Sequence, residues 1–377
     1  LFMLPTPRQI NVDISRTLGY TVKKLGIPKL QIKGMLKMYI KKLFVGLLSS
    51  ISILALAACV ASPASSEESS VSESVTTESS MADTSMAESS QEVKTDDASK
   101  KNVVVLTSFL YDMAKQVAGD TVNLEMIIPA GEDPHLYVAK PEDYTKIEKA
   151  DLVVYHGLHF EGKMVDVLEK VGVAVSADFP KDKIGVMDEG GNQIVDPHFW
   201  FDISLYKMAV DKMAESLSNL VPENKEMYMK NAEEYKLKLD ELDTYIKGRV
   251  AEIPEGSRYL ITPHDAFNYF SRAYGVTVKA PQGVSTDSEV SNMDIQSTVD
   301  FIIEHKIKAV FAESTTDPAR MQKLKEAVAA KGADLTVVSG EGKELFSDSL
   351  APVGQAGDTY IDMYKHNIDL IVDNLKE

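Results

Sequence analysis

From Asn102 onward, short apolar runs alternate with stretches of helical periodicity, and this alternation constrains the fold more than any other feature of the chain. Residues 103–106, 124–128, 152–155 and 173–176 are short and apolar enough for strands buried on both faces. Between them, 110–118, closed by Gly119, then 141–150 and 161–171 read as helices. A second series follows, with strands at 259–261, 276–279, 309–312 and 335–338 and helices at 265–274, 294–305, 318–330 and 359–375. Such alternation calls for mainly parallel sheets covered by helices, so the expected fold class is α/β.

The two series are separated by helical sequence. Residues 203–220 carry Tyr206, Val210, Met213, Leu217 and Leu220 at three- and four-residue spacing. Pro222 opens a longer pattern reaching Ile253, with Tyr228, Ala232, Tyr235, Leu239, Leu242, Ile246 and Val250 on one stripe. At 1.5 Å per residue it would span roughly 45 Å, enough to bridge two lobes. The expected layout is an N-terminal α/β lobe at 102–220, a linking helix at 221–254 and a C-terminal α/β lobe at 255–377.

Upstream, residues 60–99 are dominated by Ser, Glu, Thr and Ala and cannot bury enough surface to offset ordering entropy. Residues 59–101 are therefore expected to be a flexible tether. Before it, Lys37, Lys41 and Lys42 lead into an apolar run at 43–58, the pattern of a secretory signal at 35–58. Leu56-Ala57-Ala58-Cys59 resembles a bacterial lipobox, whose cysteine is lipidated and becomes the first mature residue. That predicts an extracytoplasmic protein anchored to a bacterial cell membrane through Cys59, the chain's one cysteine. Residues 1–34 precede the natural starts Met35 and Met38 and read as a misassigned upstream segment. A net charge of -17 argues against a nucleic-acid partner, because phosphate binding needs a basic face.

Three of the seven histidines lie beside prolines, in Asp133-Pro134-His135, Asp196-Pro197-His198 and Thr262-Pro263-His264-Asp265, and Asp348 completes a ligand quartet. Imidazole and carboxylate together suit a divalent transition metal. His135 and His264 follow strand ends, where open α/β sheets bind ligands. The metal is therefore expected in a cleft, with two ligands from each lobe. The prolines cut the backbone freedom that binding would otherwise restrict. Asp133, Asp196 and Asp265 could orient an imidazole through its second nitrogen, and Glu313, after the run 309–312, is either such an acceptor or an alternative ligand. Phe199, Trp200, Phe201, Phe267, Tyr269 and Phe270 would wall the site. His305 and His366 read as helix-surface residues, and His156 and His159 as neighbours of the cleft rim.

At these residues the chain resembles the zinc- and manganese-binding lipoproteins that serve bacterial ABC transporters as substrate-binding components. The resemblance covers about 102–377 and rests on Asp133-Pro134-His135-Leu136-Tyr137, Asp196-Pro197-His198-Phe199-Trp200, His264 to Phe270, Ala312-Glu313-Ser314 and Phe346-Ser347-Asp348-Ser349. It implies two α/β lobes joined by a rigid long helix, with His135, His198, His264 and Asp348 holding one Mn2+ or Zn2+ ion between them. It also implies delivery to an ABC permease by a monomeric, non-enzymatic carrier. In that family histidine at the third ligand position accompanies zinc and mixed members, whereas the Ala-Glu-Ser string and the lack of histidine at 160–197 lean toward the manganese branch. Zinc is expected to bind at least as tightly. Two other functions fit the same features: a secreted zinc hydrolase with Glu313 as its base, and a surface adhesin lipoprotein with a structural metal.

Overall fold

A computed structural model describes residues 97–189 and 191–376. Residues 1–34, the signal at 35–58, Cys59 and most of the 59–101 tether lie outside the described residues. From Asp97 the chain is held against the fold, since Asn123 accepts from the Asp97 amide and donates to its carbonyl.

The first half is built on strands β1 (Asn102–Val105), β2 (Asn123–Met126), β3 (Leu152–Tyr155) and β4 (Val173–Ala174), ordered β2-β1-β3-β4 and all parallel. Helices α1 (Ser108–Ala118), α2 (Pro141–Lys149) and α3 (Val165–Val171) make the crossovers. Two apolar clusters line β1 and β3, Val103, Val105 and Val154 in one and Val104, Val153 and Tyr155 in the other. Burial on both faces explains the unbroken apolar runs.

An antiparallel hairpin, β5 (Val186–Glu189) with β6 (Asn192–Val195), comes next. Periodicity did not predict it, because its strands are short and partly exposed. The sequence signal for it is the dipeptide Gly190-Gly191, a composition that favours hairpin connections. The hairpin returns the chain to Asp196, whose amide donates to the Gly185 carbonyl at 2.9 Å.

Helices α4 (Ile203–Leu220) and α5 (Lys225–Val250) pack side by side. The Asp202 carboxylate caps α4 by accepting from the Ser204 amide. Pro222–Asn224 is a 3-10 turn, so the long helix starts three residues later than the pattern at Pro222 suggests. With 26 residues α5 spans about 39 Å and buries the expected stripe from Tyr228 to Val250.

In the second half β7 (Tyr259–Ile261) pairs in parallel with β8 (Thr277–Lys279), and β9 (Ala309–Phe311) with β10 (Thr336–Val338). Strand β7 lies next to β9. Helices α6 (Asn268–Tyr274), α7 (Asn292–Glu304), α8 (Ala319–Ala329) and α9 (Tyr360–Leu375) complete it. The α6 helix begins at Asn268 rather than Asp265, leaving 265–267 in the loop after β7.

Helix α5 packs against α1 of the first half and α9 of the second. Its Asn231 side chain donates to the Val117 carbonyl, while Arg249 pairs with Asp369 and Asp373 of α9. One apolar cluster runs without a break from Val103 through Trp200 and Tyr235 to Leu375, so the halves share a core. Among the described residues no helix is long and apolar enough to cross a membrane.

Candidate metal centre

Each candidate ligand sits on an irregular segment just beyond regular structure. His135 lies in the loop after β2, His198 between the hairpin and α4, His264 beyond β7, and Asp348 beyond β10. The structure brings the four together: one donor atom from each lies within 4.8 Å of the others, and all four side chains are buried. Two come from each half.

The spacing has the scale of a coordination shell. His135 Nε2 is 3.4 Å from His198 Nε2, His198 Nε2 is 3.3 Å from Asp348 Oδ1, and His264 Nε2 is 3.1 Å from Asp348 Oδ2. A tetrahedron with bonds of about 2.0–2.1 Å to a central ion has edges of about 3.3–3.4 Å. His264 Nε2 and both Asp348 oxygens are buried, form no well-aligned hydrogen bond and face only the other donors of the cluster. Orphaned polar atoms converging on one point are costly unless a cation joins them.

Neighbours fix the ring orientations. Asp196 Oδ1 accepts from both the His198 amide, at 3.0 Å, and His198 Nδ1, at 2.7 Å, which turns Nε2 toward the cluster. The other Asp196 oxygen accepts from Asn268 Nδ2. Glu313 Oε2 does the same for His264, 2.5 Å from its Nδ1, and also accepts from Ser347 Oγ beside Asp348. Asp133 serves His135 through the backbone, accepting from its amide at 2.9 Å. Asp265 stands outside the cluster, with its amide donating to the Gly283 carbonyl and Asn268 bonded to its own carbonyl. The acceptor for His264 is therefore Glu313, brought in by β9, rather than the sequence neighbour.

Charge is balanced inside the cluster. Burial alone pushes the His198 imidazole down, but Asp196 and Asp348 outweigh it and raise the group to about 9. Burial at His264 is likewise outweighed by Glu313 and Asp348, leaving it well above the usual range. Burial would push Asp348 up, yet the flanking imidazoles hold it well below the ordinary carboxylate value. At His135 burial dominates: Asp348 raises the group, but His198 and His264 oppose it, and the imidazole falls to about 3. Without an ion, protons on His198 and His264 supply the positive charge beside Asp348.

Aromatic rings close the site. Phe160 meets His135 edge-on at 5.0 Å, and Trp200 lies 5.2 Å from His198. Phe160 was not among the expected wall residues; it follows Leu158 and His159, which both adopt positive φ, and periodicity cannot register such a loop. Its neighbour Gly162 has φ 44°, and a Cβ there would lie 2.5 Å from the His135 carbonyl oxygen, so the loop needs glycine to approach the ligand. Trp200 Nε1 donates to the Ser347 carbonyl at 2.9 Å, tying the first half to the residue before Asp348.

The remaining histidines stay apart from the four donors. His156 is fully buried between Phe160 and Trp200, and His159 is exposed at the cleft mouth. His305 stacks on Tyr259, and His366 bonds the Glu344 carbonyl.

Comparison with known proteins agrees with this geometry. The family described as zinc-uptake complex component A, periplasmic, matches residues 103–374. The manganese-binding lipoprotein MntA of Bacillus subtilis is 40% identical over 292 residues, covering 75% of this chain and 94% of that protein. The zinc-binding protein TroA of Treponema pallidum is 39% identical over 278 residues, covering 72% of this chain and 88% of the relative. A solved structure of TroA concerned with its metal-binding specificity is 61% identical, with a TM-score of 0.72 over 73% of this chain and 99% of that one. The buried three-histidine, one-carboxylate cluster and the match across nearly the whole described fold place this chain in the periplasmic zinc-uptake component A family.

Proposed function

We propose that this chain captures one divalent transition-metal ion, Mn2+ or Zn2+, outside the cytoplasm and delivers it to the membrane subunit of an ABC importer. The reading is carried by four buried donors, two from each half, gathered within 4.8 Å. His135, His198, His264 and Asp348 are the ligands, and Asp196 and Glu313 orient two of the imidazoles. The hydrolase alternative would need an open coordination position for water. Four protein donors leave none, and Glu313 is engaged by His264 and Ser347. The matched family and the relatives' names concern metal uptake and binding, which favours carriage over hydrolysis or adhesion. The carrier acts as a monomer anchored through Cys59, with 59–101 as its tether. Three imidazoles make zinc the tighter ligand.

The purified protein should hold about one equivalent of metal and be stabilised by about 2.7 kcal/mol when free metal stands at a hundred times its dissociation constant. His198→Ala should remove most of the accompanying rise in Tm. An unchanged rise would sink the assigned ligand set. Elemental analysis of protein from cells grown at defined zinc and manganese levels identifies the ion carried.

A further inference from the structure

A cavity at the surface reaches His135, and its walls come from both halves. Leu158, His159 and Lys163 form one side, and Val284, Ser285 and Asp287 the other. The second wall hangs from Gln282. The Gln282 backbone forms a parallel bridge with His264, so the residue starts its loop directly beside one ligand.

The Gln282 side chain is buried and its amide is fully used. Nε2 donates to the Thr286 carbonyl at 2.8 Å and the Ser288 carbonyl at 2.7 Å, while Oε1 accepts from Arg320 Nη1. A guanidinium only donates, so the amide has one orientation. This staple curls the loop and aims Thr286 across the cleft, where its hydroxyl donates to Asp133 Oδ2 at 2.6 Å. The other Asp133 oxygen accepts from the His135 amide. Hydrogen bonds thus run unbroken from Arg320 through Gln282, Thr286 and Asp133 to a ligand of the first half, while Gln282 itself abuts a ligand of the second.

Resting on the metal-carrier reading, we propose that Gln282 is a positioning residue for metal retention: its amide holds the cavity wall against Asp133, keeping His135 in register with His264. Removing the amide releases the wall and the Thr286 hydroxyl with it. The ion then enters and leaves faster with its ligand set intact.

The test uses the full chain loaded with Zn(II), and follows transfer to an excess of a chromophoric chelator by stopped flow. Gln282→Ala and Thr286→Val should release zinc about tenfold faster and also take it up faster, whereas Thr286→Ser, which keeps the hydroxyl, should stay within about twofold of wild type. Gln282→Ala strands the Arg320 guanidinium and two loop carbonyls and so lowers the Tm without metal; in Thr286→Val that Tm should move by no more than about two degrees. A merely structural role would lower that Tm and leave uptake no faster. Should Gln282→Ala not fold, the Thr286→Val and Thr286→Ser pair decides alone, because valine keeps the shape of threonine. Release at the wild-type rate in Thr286→Val, or equal release in the Val and Ser variants, overturns the proposal. Failure of the wild type to bind one equivalent of zinc would instead overturn the carrier reading, and this proposal with it.

Discussion

With His198 and His264 as the proposed ligands, a proton and a metal ion would compete for the same nitrogen of each ring. Burial is outweighed by the neighbouring carboxylates at both imidazoles, which are raised, His198 to about 9, so both favour the protonated form when no ion is bound. Coordination requires the neutral ring, and each proton must leave as the ion arrives. Loading at pH 7 should release about two protons, measurable by calorimetry in buffers of different ionisation enthalpy. A raised pKa means the proton is held more tightly, so below about 9 affinity should climb with pH by about tenfold per unit for the His198 proton alone, and more steeply while His264 is protonated too. A release near zero would mean the rings are neutral before loading. The three histidines were legible because each stands in a proline-flanked string; their orienting acceptors were legible only in part. Asp196 lies two residues from its imidazole and could be read from the chain. Glu313 reaches His264 because β7 and β9 lie side by side, and no local spacing carries that information.

Among the elements, α5 was the most legible and the hairpin the least, for the same physical reason. A 26-residue helix with one buried stripe repeats its signal over many turns, whereas four-residue strands exposed in part repeat nothing. Strands β1, β3 and β9 were readable because burial forces apolar runs. Helix α5 also contains an avoidable weakness. Gly248 lies near its C-terminal end, exposed, with open space where a Cβ would stand. Glycine in a helix interior costs roughly 0.5–1 kcal/mol relative to alanine. Gly248→Ala should therefore raise stability by about that amount in urea unfolding, with metal affinity unchanged, since the site lies on other elements. A loss of stability would show that the local backbone departs from ordinary helix.

Over the whole molecule, the two halves behave as one body because their connections are buried. The apolar cluster spans both, and Asp112 ties three parts together: it lies on α1, accepts from the Tyr360 amide at the start of α9, and accepts from the Tyr235 hydroxyl of α5. Such a joint opposes a wide hinge motion, which accords with the proposal that the loop stapled by Gln282 controls passage of the ion. The joint also carries a cost. Burial pushes the Asp112 carboxyl up, only partly offset by the donors from Tyr360, Gln116 and Tyr235. A folded-state pKa above the unfolded value of about 3.9 means the folded chain binds that proton more readily. The ionised group therefore weakens the fold progressively as pH rises from about 4 through its raised value, and the penalty stays in full above it. Asp112→Asn keeps an oxygen for Tyr360 and Tyr235, turns its amide nitrogen to Gln116, whose own amide can rotate to accept, and discards the charge. Its Tm without metal should exceed that of the wild type at pH 7 to 8, and the advantage should shrink as the pH falls toward 4. Asp112→Ala strands all three donors and should instead cost about 1–3 kcal/mol at either pH. Thermal scans of the two variants across that range decide the matter: an asparagine variant less stable than wild type at pH 8 would mean the buried charge is stabilised by more than these three donors.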